Sequence, residues 1–372
     1  MAGRAQLPRA LHPLAWWGWA IGLAVAASMT GNPILLGLIV VVVWLVVVAR
    51  RTDSPWARAF RLYVVLGIVI VLIRLLLHVL VGLKWGTIEV IALPRISLPH
   101  WAAGINLLGT VYLEGWLAAA IQGLQLAVLI IAIGGANALA NPKRLLRALP
   151  HALHEVGTAV VVSVSVAPQL AESVQRVLRA RLLRGDAGRG LRAVPRVALP
   201  VLQDTLDRSL LLAAAMESRG YGARNSDASA SGRRLVTGSL TLAGLLTLAF
   251  GMYDVLDPTR SLSWLGTPLV ALGLALAIAG MFLGGRDIKV TTYRRDPWRL
   301  PETLTVLAGI AAAAGMVISK QATPDLLWLP LQPLAAPGLP VAATIGIVLA
   351  ALPAFLTPPP PTTSRPLARS GR

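Results

Sequence analysis

The sequence predicts an all-α integral membrane protein: a helical bundle of about eight spans, with an amphipathic cytoplasmic coupling-helix insert between spans four and five. Three observations lead there. Of 372 residues, 56% are hydrophobic and only 13% charged, about half the charged share of a soluble domain. Apolar stretches close to 20 residues long, enough to cross the hydrocarbon core as a helix, recur along the chain. The 34 lysines and arginines, against 16 acidic residues for a net charge of +18, lie between those stretches rather than on one soluble face. That placement reads as membrane topology and not as nucleic-acid binding. The chain has no cysteine, which excludes disulfides, Cys-based zinc sites and iron–sulfur clusters.

The candidate spans are residues 14–30, 33–48, 60–82, 115–139, 235–253, 266–284, 303–319 and 337–356. Only Gly31-Asn32-Pro33 separates the first two, which predicts a tight hairpin of two short helices. Two arginines precede the first apolar run and no A-x-A site follows it, so it reads as a retained span and not a cleaved signal. With the N-terminus inside, segments 1–13, 49–61, 140–234, 285–300 and 357–372 hold 29 of the 34 basic residues. Both termini are therefore expected in the cytoplasm of a multi-pass plasma-membrane protein. Residues 156–170 are apolar but short and interrupted by Pro168. A span there would place twelve arginines outside, so the stretch is assigned to the inner membrane surface or half-buried under the helices that follow. Residues 88–101 alternate around two prolines, as an irregular outer loop or a short hairpin would. The resulting domains are 1–139, 140–234 and 235–356, with a proline-rich, disordered tail at 357–372.

The insert carries two amphipathic helix patterns. In the first, Leu170, Val174, Val177, Leu178 and Leu182 recur at helical spacing, with Gln175, Arg176, Arg179 and Arg184 off the stripe. In the second, Leu199, Leu202, Leu206, Leu210 and Ala213 form the stripe, with Gln203, Asp204, Asp207 and Arg208 on other faces. Each pattern ends on an arginine followed by glycine: Arg184-Gly185 and Arg219-Gly220. For one helix the plain reading is a C-cap, with a cation favourable by about 0.3–1 kcal/mol near the negative end of the macrodipole. Two such tips in one insert suit arginines that dock on another protein, where a planar guanidinium can grip a carboxylate bidentately.

"AAAMESRGYGAR" (213–224) resembles the second Ala-Arg-Gly-type motif of the T component of energy-coupling factor (ECF) transporters, the EcfT/CbiQ family. "VQRVLRARLLRGD" (174–186) is similar to the first motif. "NPKRLLRALP" (141–150), "APQLAESVQR" (167–176) and "TGNPILLGLIV" (30–40) also resemble that family. The resemblance spans residues 10–255. For the first motif two arginines qualify, Arg181 and Arg184, of which Arg184 has the glycine behind it. In the second, Ser218 stands where alanine is usual. The resemblance implies a non-enzymatic coupling subunit without cofactor or metal. Its partners would be two ABC-type ATPases and a substrate-binding membrane S component, for uptake of a vitamin or of cobalt or nickel. Arg184, Gly185, Arg181, Ser218, Arg219 and Gly220 would contact the ATPases. Val174, Val177, Leu178, Leu199, Leu202, Leu206 and Leu210 would carry the S component. The chain contains no G-x-x-x-x-G-K-[ST], so ATP hydrolysis would belong to the partners. Residues 266–356 lie beyond the resemblance.

A different class of reading is a stand-alone secondary transporter or channel. Arg74 and His78 are i, i+4 on one face of a span, and ionisable residues at that depth are costly and often functional. Glu89 and Glu114 lie in and beside the outer loop. This reading predicts flux from the chain reconstituted alone.

Overall fold

Proline and a side-chain cap start the first two helices. The computed structural model describes residues 9–52, 59–81, 85–97, 106–141, 144–145, 148, 154–185, 194–218, 229–256, 263–284 and 297–360. In chain order the elements are α1 (Pro13–Ser28), α2 (Pro33–Arg50), α3 (Phe60–Val81), β1 (Glu89–Ile91), β2 (Arg95–Ser97), β3 (Asn106–Leu108), β4 (Val111–Tyr112), α4 (Leu113–Leu139), α5 (His154–Leu183), α6 (Val194–Glu217), α7 (Ser229–Leu256), α8 (Ser263–Gly284), α9 (Leu300–Ala322), a 3-10 turn (Pro324–Leu327), α10 (Val341–Leu349) and α11 (Pro353–Leu356). His12 Nδ1 accepts the Leu14 amide at 3.3 Å, and Asn32 Oδ1 accepts the Ile34 amide at 3.0 Å. Proline in the first turn of each helix has φ already set and no amide to leave orphaned.

Among the described residues, five helices are long and apolar enough to cross a membrane, as in a multi-pass protein of the all-α class: α2, α3, α4, the Leu235–Leu256 part of α7, and α9. Three of the eight expected spans are shorter apolar helices: Pro13–Ser28, Pro268–Leu283 and Val341–Leu356. The last is broken between α10 and α11, because Pro353 has no amide to give the Leu349 carbonyl. The outer loop contains strands as well. β1 pairs antiparallel with β4 and β2 with β3, so the hairpin expected within 88–101 draws its second half from 106–112. Of the expected disordered tail, 361–372 lie outside the described residues. Thr357 is buried and Arg9 N–H donates to the Pro359 carbonyl at 3.1 Å.

The chain forms two compact units, residues 1–148 with 294–372, and residues 149–293. This grouping differs from the division 1–139, 140–234 and 235–356 drawn from the sequence. In the first unit α1 packs chiefly on α9 and α4, and α2 on α4 and α10. A side chain at Gly22 would overlap the backbone of Gly309, and one at Gly309 would meet the Trp19 backbone at 2.6–3.0 Å. The α1 and α9 backbones thus touch, in the way small residues bring helices together in lipid.

Buried polar groups then fasten the N-terminal helices to the C-terminal ones. Trp19 Nε1 donates to the Ala350 carbonyl at 2.9 Å. Asn32 Nδ2 donates to the Leu326 and Gly338 carbonyls at 2.9 and 2.7 Å, and Thr30 Oγ1 to Leu327 at 2.8 Å. Arg50 holds the Ala354 carbonyl through Nε and NH2 at 3.1 and 2.7 Å. The fully buried Glu302 carboxylate pairs with Arg9 at 2.8 Å and accepts the Arg299 amide at 3.1 Å. These contacts make α9–α11 part of the first unit rather than an addition to it.

In the second unit α7 and α8 form a close pair, with Gly244 and Gly273 each set against the partner backbone, and α5 packs on α6. α5 runs unbroken through Pro168 and α6 through Pro200. The apolar stretch 156–170 is therefore the first half of a 30-residue helix.

Gly22→Ala is expected to destabilise the protein by about 1–3 kcal/mol through overpacking, read as a lowered thermal midpoint in detergent. Gly37→Ala, with nothing within 4 Å of the added carbon, should leave the midpoint unchanged or raise it. Equal effects at the two glycines would contradict the close approach.

Candidate coupling-helix site

The two amphipathic helices meet through one polar knot. Ser173 on α5 is 3% exposed, and its Oγ donates to Asp204 Oδ2 on α6 at 2.6 Å. Arg176 NH2 reaches the same oxygen at 3.2 Å, and Arg208, one turn along α6, gives its Nε to Oδ1 at 3.2 Å. Val201 is buried one turn before Asp204. Beside the knot a cavity of about 180 Å³ is lined by Val166, Gln169 and Leu170 from α5 and by Thr205, Ser209 and Leu212 from α6. The lining runs down α5 as it runs up α6, so the helices are antiparallel where they meet.

Arg184 closes α5: its amide bonds to the Ala180 and Arg181 carbonyls at 3.3 and 3.0 Å. Gly185 follows at φ +76°, the left-handed conformation glycine adopts without a steric cost, and donates to the Leu182 carbonyl at 3.1 Å. Arg184 is exposed and Arg181, in the last turn, is half-buried. At the other tip Ser218 ends α6, its amide on the Ala214 carbonyl at 3.0 Å and its hydroxyl on Ala215 at 2.9 Å. Arg219 and Gly220 lie outside the described residues.

The expected contact stripe is open on α6. Leu199, Leu202, Leu206 and Leu210 are 57–68% exposed and recur every three or four residues on one side. On α5, Leu178 is exposed, while Val174 and Val177 are half-buried. In the sequence Arg176, Asp204 and Arg208 lie off the apolar stripes, and no pattern joins them across the two helices. The available signal was Asp204 and Arg208 at i, i+4, a spacing at which opposite charges pair on a helix. Nothing in the sequence marks Ser173 as their partner.

Hydrogen bonding from Ser173, followed by Arg208 and Arg176, holds the Asp204 carboxyl below its ordinary range despite the opposing effect of burial.

The groups of the stand-alone transporter reading lie on three elements, α3, α4 and β1. Glu114 is buried and accepts from Thr87 N–H at 2.8 Å, from Thr87 Oγ1 at 2.5 Å and from Ile88 N–H at 3.2 Å. It therefore fastens residues 87–88 to the start of α4. Arg74 donates to Gln122 Oε1 instead, His78 lies against Gly115, and Glu89 is exposed on β1.

No protein-family model matches the chain, and comparison with the curated proteins finds no match.

A carboxyl depressed in the folded state stabilises above its unfolded value, about 3.9, and loses that contribution as pH falls through the folded value. Asp204→Asn should therefore lower the thermal midpoint at pH 7, and the gap to wild type should close as the pH drops below about 4. A gap of constant size from pH 7 to pH 3 would refute the assignment.

Proposed function

We propose that the chain is the transmembrane coupling subunit, the T component, of an ECF-type ABC importer. The observation that carries this is the antiparallel crossing of α5 and α6 at the Ser173–Asp204 knot. From the knot, α5 continues eleven residues to Arg184, roughly 16 Å at 1.5 Å per residue, and α6 continues fourteen residues to Ser218, roughly 21 Å. Because the helices are antiparallel, these two ends point away from each other. One glycine-capped arginine and the start of a second Arg-Gly motif are thus presented at two separated points, which suits a pair of like ATPase subunits.

In this reading the guanidinium of Arg184, with Arg219 at the second tip, docks in a groove on each ATPase and transmits its closing motion. The exposed leucines of α6 and Leu178 of α5 receive an apolar surface of the S component, a helix-in-groove style of contact. The absence of a phosphate-binding G-x-x-x-x-G-K-[ST] in the sequence supports leaving ATP hydrolysis to the partners. Eight spans, a cytoplasmic coupling insert and cytoplasmic termini in the plasma membrane complete the arrangement, resting on the charge distribution. The cargo would be a vitamin or a cobalt or nickel ion held by the S component. The stand-alone transporter is less well supported, because Glu114 is already engaged by Thr87 and Ile88.

Affinity purification of the tagged chain from its native membranes should bring down two ABC-type ATPase subunits. Arg184→Glu together with Arg219→Glu should reduce their recovery at least tenfold, and Arg181→Glu alone should leave it within twofold of wild type. Full recovery in the double variant, or flux from the chain reconstituted by itself, would refute the coupling role.

A further inference from the structure

Arg74 is out of place on the surface that carries it. It is seven residues from the Val81 end of α3 and fourteen from the Phe60 end, about 10 and 21 Å along the axis. Among the described residues of the five long apolar stretches, every other lysine or arginine lies within one turn of an end: Arg50, Arg61 and Lys320. Arg74 is exposed, and Leu77 on α3 and Leu126 on α4, one turn from Arg74 and Gln122 respectively, are about half exposed. Its guanidinium donates to Gln122 Oε1, a neutral acceptor that orients the group without balancing its charge. Glu114, the acidic residue nearest along α4, is engaged by Thr87 and Ile88. Arg74 has no acidic partner among the described residues.

We infer that Arg74, oriented by Gln122, is an intramembrane docking point for a carboxylate on an apolar helix of a different membrane protein. A guanidinium at this depth is strongly disfavoured unless paired, and a carboxylate is the partner its planar fork fits best. Lipid phosphate fits less well. A helical side chain leans toward its own N-terminus, so Arg74 leans toward Phe60 and away from the nearer end. A second copy of this chain does not supply the acid either, because Glu114, Asp254 and Glu302 of the long apolar helices are all buried. Gln122 is the positioning residue: its carbonyl oxygen holds the fork beside Gly123, where a side-chain carbon would lie 3.1 Å from the Val71 Cα of α3. The inference is independent of the role proposed for α5 and α6.

The test places a photo-crosslinking residue at Leu77 in the full-length chain and irradiates native membranes. The expected product is a covalent adduct with another membrane protein, its crosslinked peptide within one helical turn of an Asp or Glu in an apolar segment. Arg74→Leu, which matches its exposed leucine neighbours and should leave the thermal midpoint unchanged or higher, is expected to cut the adduct at least tenfold. Arg74→Glu should do the same, and replacing the partner's acid by Arg should restore the adduct in that background. No protein adduct, lipid adducts alone, an adduct with a second copy, a partner peptide without a nearby acid, or an adduct that survives Arg74→Leu would each overturn the inference.

Discussion

A buried backbone carbonyl has no water to turn to, and residues 326–354 present several that their own helices cannot use. Pro353 breaks the last apolar run, and Ala354 N–H turns to the Ala351 carbonyl, leaving Ala350 for Trp19. Pro358 has no amide for the Ala354 carbonyl, which Arg50 takes twice. The 3-10 turn leaves Leu326 and Leu327 for Asn32, Thr30 and the Gly31 amide. The first unit depends on these exchanges: donors within the first fifty residues take up carbonyls between 326 and 354. The close approach of Gly22 and Gly309 brings the two regions near enough for it.

The second unit solves a different problem. α5 and α6 are long and amphipathic, and a compact polar cluster joins them. A serine–carboxylate bond flanked by two arginines fixes where the helices meet, beside a cavity that both helices line. Such a joint is directional and charge-dependent, where a leucine seam would be neither. The same economy appears at Glu114, whose carboxylate secures a turn of backbone at residues 87–88.

Helix positions were legible because hydropathy and caps are local properties: Asn32-Pro33 and the start of α9 at Leu300 could be read within a few residues. The division into units was not legible. Arg50 counted only as a topology charge in the sequence, and its bond to Ala354 links residues 304 apart. Ser173 and Asp204 were hidden for the same reason, since a serine beside Glu172 and an aspartate on a polar face look ordinary until the helices meet. Arg184-Gly185 was legible, because a left-handed glycine after a basic last turn is a local signature. Pro168 predicted an interruption, but α5 continues through it.

The bond from Trp19 to Ala350 spans 331 residues, and this has a consequence in time. At a synthesis rate of roughly 5–20 residues per second, α1 is made about 15–65 s before its acceptor exists. Through that interval the indole and the Asn32 amide are without the carbonyls that will hold them. During biogenesis the first hairpin therefore needs a temporary host, whether the insertion machinery, ordered water or lipid headgroups, and only the last helices release it.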